Sequence, residues 1–212
     1  MNTASDAGFW DRSAHKYAAT PVADQPAYAR TLERTRALLG RQHRVLELGC
    51  GTGSTALTLA ASVEAYLATD ISGEMIAIAR DRHAAAEVPG LDFRVATAEQ
   101  LSREALLVDV VLGFNYLHLV RDLPGTLRRT RAMLAEEGLF ITKTPCLGDM
   151  NPLLRWALLP AMRAIGKAPF VKVFRASELC DGLVAAGFEI LTIESHSGDG
   201  KDNRPFIVAR RT

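Results

Sequence analysis

"VLELGCGTGSTALTLA", Val45 to Ala60, is the stretch whose reading decides the fold. Its opening is an apolar run of strand length, three glycines follow at 49, 51 and 53, and the remainder has helical composition. A strand running through a glycine turn into a helix opens a βαβ unit, and such a turn lets backbone approach a ligand while the helix presents unpaired amides. Two patterns overlap here. Gly51, Gly53 and Ala56 satisfy the dinucleotide pattern G-x-G-x-x-G/A, whereas Glu47, Gly49, Gly51 and Gly53 form E-x-G-x-G-x-G.

Glu47 separates the two. Near the strand's end its carboxylate would face whatever the turn holds. A pyrophosphate there would suffer like-charge repulsion, while the sulfonium and ammonium of S-adenosylmethionine would be attracted. Asp70, in "ATDIS" at the end of a second strand, is placed to accept hydrogen bonds from ribose hydroxyls. NAD and S-adenosylmethionine both carry that ribose, so Asp70 points to an adenosine ligand without choosing. Ile71 and Met75 follow it, positioned either against adenine or in the core.

Outward from this segment, strand-length apolar runs alternate with helical patterns: "AYLATD", "SGEMIAIARDRHAAA", "LDFRVA", "DVVLGFNYL", a helix ending near Leu134, and "LFITKT". That rhythm predicts an α/β fold with a parallel sheet covered on both faces, its ligands at the carboxyl ends of the strands. Residues 1–40 read as an N-terminal helical cap, including a helix over Tyr28 to Gly40. Residues 147–174 read as an apolar insertion after strand five. A last helix over Ser177 to Phe188 precedes "EILTIES" and "RPFIVAR", which read as an antiparallel hairpin. The whole chain, 1–212, reads as one domain.

Composition narrows the function classes. Lys and Arg total 25 against 24 Asp and Glu, a net charge of +1, and no basic stripe appears, so a nucleic-acid partner is not expected. Three dispersed cysteines, Cys50, Cys146 and Cys180, without a C-x-x-C pair fit a reducing cytoplasm. No apolar h-region opens the chain, and no run reaches the ~18 apolar residues of a spanning helix, so a soluble protein without an integral membrane segment is expected.

The sequence resembles the class I S-adenosylmethionine-dependent methyltransferases. The resemblance is carried, in family order, by "VLELGCGTG" (45–53), "ATDIS" (68–72), "VATAEQL" (95–101), "DVVLGFNYLHLV" (109–120) and "LAEEGLFITKTP" (134–145). It implies a Rossmann-like, doubly wound, seven-stranded, mostly parallel sheet with an antiparallel C-terminal hairpin, and S-adenosyl-L-methionine as cofactor. By the resemblance, Glu47, Gly49 and Gly51, with Cys50 between them, border the methionine part, Asp70 the ribose, and Ala98 and Glu99 the adenine, next to Thr97, with Phe114 and Asn115 beside the transferring methyl; Ile71 and Met75 keep the two readings given above. Many relatives have Asp where this chain has Thr97, whose hydroxyl accepts a hydrogen bond more weakly. Glu136 and Glu137 replace a common Pro-Gly and would affect only the turn before strand five.

On the substrate side, Phe114, Asn115, Tyr116 and His118 follow strand four, with His118 a candidate base or a histidine satisfied at the start of the next helix. In the family it resembles, a segment similar to "FWDRSAHKYA" folds over the cofactor, which implies that Tyr17 reaches the methionine carboxylate or the substrate; the alternative is an amphipathic helix packing Phe9, Trp10 and Tyr17 on the sheet. Lys143 and Thr144 end strand five at the cleft, while His196 and the following "GDGK" read as solvated loop. The insertion fits a lid over an apolar substrate, a membrane-surface helix or a homodimer contact; the lid is preferred. The sequence therefore favours a methyltransferase acting on a small apolar or aromatic molecule. A nicotinamide-dependent oxidoreductase and a non-catalytic S-adenosylmethionine-binding protein are the alternatives.

Overall fold

A computed structural model describes residues 3–150, 169–197 and 203–212. Two helices, α1 (Thr3–Ala19) and α2 (Gln25–Leu38), precede β1 (Arg44–Leu48), α3 (Ser54–Leu59), β2 (Ala65–Asp70), α4 (Gly73–Ala86), β3 (Leu91–Val95), α5 (Ala98–Leu101) and β4 (Val108–Phe114). Then come α6 (Leu123–Met133), β5 (Leu134–Lys143), α7 (Ala176–Ala185), β6 (Phe188–Glu194) and β7 (Phe206–Arg211). The seven strands form one sheet in the order β3-β2-β1-β4-β5-β7-β6. β1 to β5 pair in parallel, and β7 inserts antiparallel between β5 and β6. The strand order reverses between β1 and β4, which is where open α/β sheets of this kind leave a ligand crevice.

Alternation along the central strands builds a core on each face. Leu46, Val111, Phe140 and Ile207 pack on the side of α6 and α7 with Leu127, Leu179 and Leu183. Val45, Val110, Leu112, Ile141 and Val208 face the other way with Ala56 and Leu59 of α3, Ile76 and Ala79 of α4, and Phe93. Such two-sided burial is why these strands are continuous apolar runs rather than alternating ones.

The expected fold class is present, with differences in detail. The "LAEEG" segment is not a turn ahead of strand five: β5 already pairs at Leu134 with Val108 and resumes at Leu139 with Val110, so residues 135–138 form a bulge in which Glu137 takes φ +60°. The last helix spans Ala176–Ala185 rather than reaching Phe188, ending before Gly187, whose φ of +85° turns the chain into β6. Of the insertion read over 147–174, residues 151–168 lie outside the described residues, as do the glycines of "GDGK". Among the described residues no helix is long and apolar enough to cross a membrane, and the three cysteines are free thiols.

Candidate functional site

The glycine turn works by close contact. Gly49, Gly51 and Gly53 all have positive φ, at 72°, 54° and 79°. A Cβ on Gly53 would lie 2.7 Å from the Phe93 ring and 3.0 Å from Ala79, while one on Gly51 would meet only Tyr17, 3.6 Å away. Gly53 therefore lets α3 seat against β3 and α4, and Gly51 leaves backbone exposed beneath Tyr17. Asp70 closes the turn from β2. Its two carboxylate oxygens accept separately from Gly51 N–H (3.0 Å) and Ser72 N–H (2.9 Å). Burial holds this carboxyl above its ordinary value even against those N–H donors.

Glu47 is 2% exposed, and its Oε2 accepts from Tyr66 O–H at 2.8 Å. Burial pushes its carboxyl up to about 7; the Tyr66 hydrogen bond pulls it down and the charge of Asp70 adds to the rise. A buried acid of this kind is poised to ionise when a cation arrives. The Cys50 thiol beside it is buried and its pKa is raised by that burial, which marks it as wall rather than nucleophile.

Two cavities open at the carboxyl ends of the strands. The smaller, about 560 Å³, is bordered by Asp70, Ile71 and Met75 on one side, by Thr97, Ala98 and Glu99 on another, and by Tyr116 and His118. The larger, about 730 Å³, runs past Glu47 and Cys50 to α2 and to Lys143. They share one wall, formed by Trp10, Tyr17, Gly49, Phe114, Asn115 and Pro169. Asn115 sits there with φ +50° while its N–H bonds Lys143 O at 2.8 Å. Asparagine is among the non-glycine residues most often found in that conformation, and the strain falls at the cavity boundary.

The sequence-level cluster after β4 is thus divided. Phe114 and Asn115 border both cavities, whereas Tyr116 and His118 border only the smaller. His118 lies in a single 3-10 turn, Leu117–Leu119, not in the next α-helix, which begins at Leu123. Its backbone N–H reaches Thr144 Oγ1 at 3.3 Å and its Nδ1 lies 2.9 Å from the same oxygen. Burial pushes the imidazole down to about 4, so the ring is neutral. Thr97 caps α5: its hydroxyl accepts from Gln100 N–H while its backbone N–H bonds the Gln100 side chain.

Helix α1 covers the turn. Ser72 Oγ donates to Asp11 at 2.6 Å, Arg121 grips Asp6 through two bonds of 2.7 and 2.8 Å, and Arg82 donates to Ala18 O at 3.1 Å. Tyr17 reaches over Gly51 and meets Trp10 edge to face, with ring centroids 6.3 Å apart. Arg121 also stacks on Phe170, 4.3 Å from the ring centroid, so one guanidinium meets both α1 and the extended segment around Phe170 beside the smaller cavity.

One residue corrects the sequence reading. His196 is 5% exposed, not solvated: Nδ1 lies 2.9 Å from Thr31 Oγ1, Nε2 lies 3.4 Å from Glu194, and the ring packs on Phe206 at 4.6 Å. Its turn-rich neighbourhood suggested a loop, but the contact that buries it comes from α2, 165 residues away. Thr31, Arg82 and Arg204 of the larger cavity were likewise not anticipated, because no local pattern marks them.

Similarity to known proteins agrees with this geometry. The family described as "Methyltransferase domain" matches residues 22–193. A ubiquinone biosynthesis O-methyltransferase of Methylocella silvestris is 34% identical over 126 residues, 59% of this chain and 48% of that protein. Another, from Rhizobium johnstonii, is 30% identical over 156 residues, 69% of this chain and 60% of that protein. The chain therefore spans about half to three-fifths of these curated relatives. Among solved structures, the DhpI–SAH complex superposes with a TM-score of 0.72 at 24% identity, covering 98% of this chain and 95% of that one. An S-adenosylmethionine-dependent methyltransferase from Mesorhizobium loti gives 0.67 at 22%, covering 89% and 99%.

Proposed function

The chain belongs to the class I S-adenosylmethionine-dependent methyltransferase family, and from that premise we propose that it moves the methyl group of S-adenosylmethionine to a small molecule held in the larger cavity. The observation that carries this reading is the pair of cavities meeting at one wall of Trp10, Tyr17, Gly49, Phe114, Asn115 and Pro169. The donor set fits the cofactor. Glu47, which lines the larger cavity, offers a carboxylate to a methionine ammonium that crosses the shared wall, and Asp70 in the smaller cavity keeps lone pairs for the ribose beyond those its two backbone donors use. Ile71, Met75, Ala98 and Glu99 border the adenine end, while Thr97 contributes its cap and little hydrogen-bonding capacity of its own.

The cofactor supplies an electrophilic methyl on a sulfonium, displaced in line by the acceptor. The protein's task is to align donor and acceptor and to exclude water. Asn115 and Phe114 fix the crossing point, and Trp10 and Tyr17 close it from α1. His118, neutral because burial lowers its pKa to about 4, borders only the smaller cavity and so stands on the cofactor's side rather than beside the acceptor. A volume of about 730 Å³ suits a small-molecule acceptor. The curated relatives are named ubiquinone biosynthesis O-methyltransferases, which supports an oxygen acceptor, and Phe9, Trp10, Tyr28 and Phe114 in the wall suit an apolar or aromatic one.

Calorimetry with S-adenosylmethionine and S-adenosylhomocysteine, followed by a screen with labelled methyl donor, tests the proposal. Heat with both and label in an acceptor are expected. Binding of NAD with no heat from either would overturn it.

A further inference from the structure

We propose that the base of the cofactor is read by Tyr116, whose hydroxyl donates a hydrogen bond to N3 of the adenine; the inference rests on the smaller cavity being the cofactor site. Tyr116 follows β4, and its ring lies against the glycine turn. A Cβ on Gly49, at φ +72°, would fall 2.7 Å from Tyr116 Cδ2, and one on Gly113 would fall 3.5 Å from Cδ1. The bare Gly49 thus admits this ring between the ends of β1 and β4, where the strand order reverses. The backbone is fixed as well, since Tyr116 O accepts from Leu119 N–H at 2.8 Å. The hydroxyl is different. It has no hydrogen-bond partner among the described residues, yet it is not sealed in the core: the buried side-chain atom without a partner among those residues is Thr130 Oγ1. Tyr116 borders the smaller cavity and not the larger. Burial and the charge of Asp70 push its phenol up while Arg129 pulls it down, so the hydroxyl keeps its proton and feels both sides of that cavity, Asp70 from β2 and Arg129 from α6.

Neighbouring polar groups of the cavity are engaged within the protein. Thr97 Oγ1 donates to Gln100 Oε1 and accepts from Gln100 N–H, both at 3.2 Å. Glu99 pairs with Arg103 at 2.7 Å, and Arg129 with Asp122 at 3.2 Å. A phenol that donates needs an acceptor on the ligand. The ribose hydroxyls are themselves donors to Asp70, and the sulfonium is a cation, so the acceptors that remain are the ring nitrogens of the base. N3 lies on the edge of adenine next to the ribose 2′-hydroxyl, the group that an acid at the end of the second strand takes. With the ribose at Asp70, a hydroxyl within reach of that carboxylate meets the N3 edge, whereas N1 and the amino group point away from the sugar. A buried donor left without its acceptor costs more than the same donor in water, so the contact selects the base as well as binding it.

The experiment is calorimetry on the full chain with S-adenosylhomocysteine and with its 3-deaza analogue, in which C–H replaces N3. The unmodified protein is expected to bind the analogue about tenfold more weakly. Tyr116→Phe keeps a ring against Gly49 and should bind S-adenosylhomocysteine about tenfold more weakly than the unmodified protein does, while holding the two compounds alike to within about twofold. That lost preference is a coupling between one protein oxygen and one ligand nitrogen, which a tyrosine acting only through packing would not produce. The comparison of the two compounds on the unmodified protein does not depend on the variant folding. Equal binding of both by the unmodified protein, or a preference that survives in Tyr116→Phe, would overturn the inference. Failure of S-adenosylhomocysteine itself to bind would instead overturn the methyltransferase reading.

Discussion

Replacing Glu47 with glutamine should make the unliganded protein more stable and the cofactor weaker, and both effects follow from one buried proton. In the folded chain the carboxyl titrates near 7 rather than the ordinary 4.5, chiefly because it is buried. That rise corresponds to about 3 kcal/mol. Because the folded value is the higher, the contribution to stability is complete below about pH 4.5 and is lost as pH climbs from there through 7. At pH 8 the free protein therefore holds an ionised carboxylate against its burial. Glutamine keeps the shape and still accepts from Tyr66 O–H, the bond that spans 2.8 Å in the native chain. Glu47→Gln should raise stability at pH 8 by about 2–3 kcal/mol, read as a melting point about 5–10 °C higher, with the gain shrinking toward pH 5. Cofactor binding runs the other way, since the ammonium needs the ionised form. Between pH 7 and 5.5, where an α-ammonium stays protonated, native affinity for S-adenosylhomocysteine should fall about 16-fold. The glutamine variant should be weaker at pH 7 and flat across that range. A native affinity independent of pH, together with no stabilisation of the variant at pH 8, would refute the reasoning.

Gly53→Ala puts a Cβ 2.7 Å from Phe93 at a φ of +79°, so urea unfolding should show a loss of about 2–4 kcal/mol; a loss below about 0.5 kcal/mol would contradict the packing role. Arg121→Ala releases both Asp6 and Phe170, and stopped-flow fluorescence should find S-adenosylhomocysteine leaving several-fold faster with stability changed by less than about 1 kcal/mol. His118, held near pKa 4 by burial, should contribute no inflection to the rate between pH 5.5 and 8. His118→Phe should weaken S-adenosylhomocysteine binding without moving any inflection that remains, and a lost inflection near neutrality would restore a base role.

What the sequence made legible was local. The run from Val45 to Ala60 carries its own strand, turn and helix, and the two-sided burial of β1, β4 and β5 follows from uninterrupted apolar stretches. The positions of Glu47 and Asp70 near the ends of β1 and β2 were readable from their distance to the glycines. The bulge at residues 135–138 was not, since acidic residues there fit a turn as well as a bulge, and only pairing with Val108 and Val110 distinguishes them.

The larger cavity shows why specificity is harder to read than cofactor binding. In its wall Thr31 meets Lys143 across 112 positions, and behind the wall Thr31 meets His196 across 165. No window of sequence contains two of these residues, so neither periodicity nor motif spacing can bring them together. The glycine turn is a single short segment whose geometry is set by φ angles and contacts with neighbouring elements. Thr31, Lys143 and His196 come from α2, β5 and the residues after β6, which meet because β7 inserts antiparallel between β5 and β6. A substitution at Thr31 or Lys143 therefore alters the larger cavity without changing any residue of the β1 turn, so the two can vary independently on one frame.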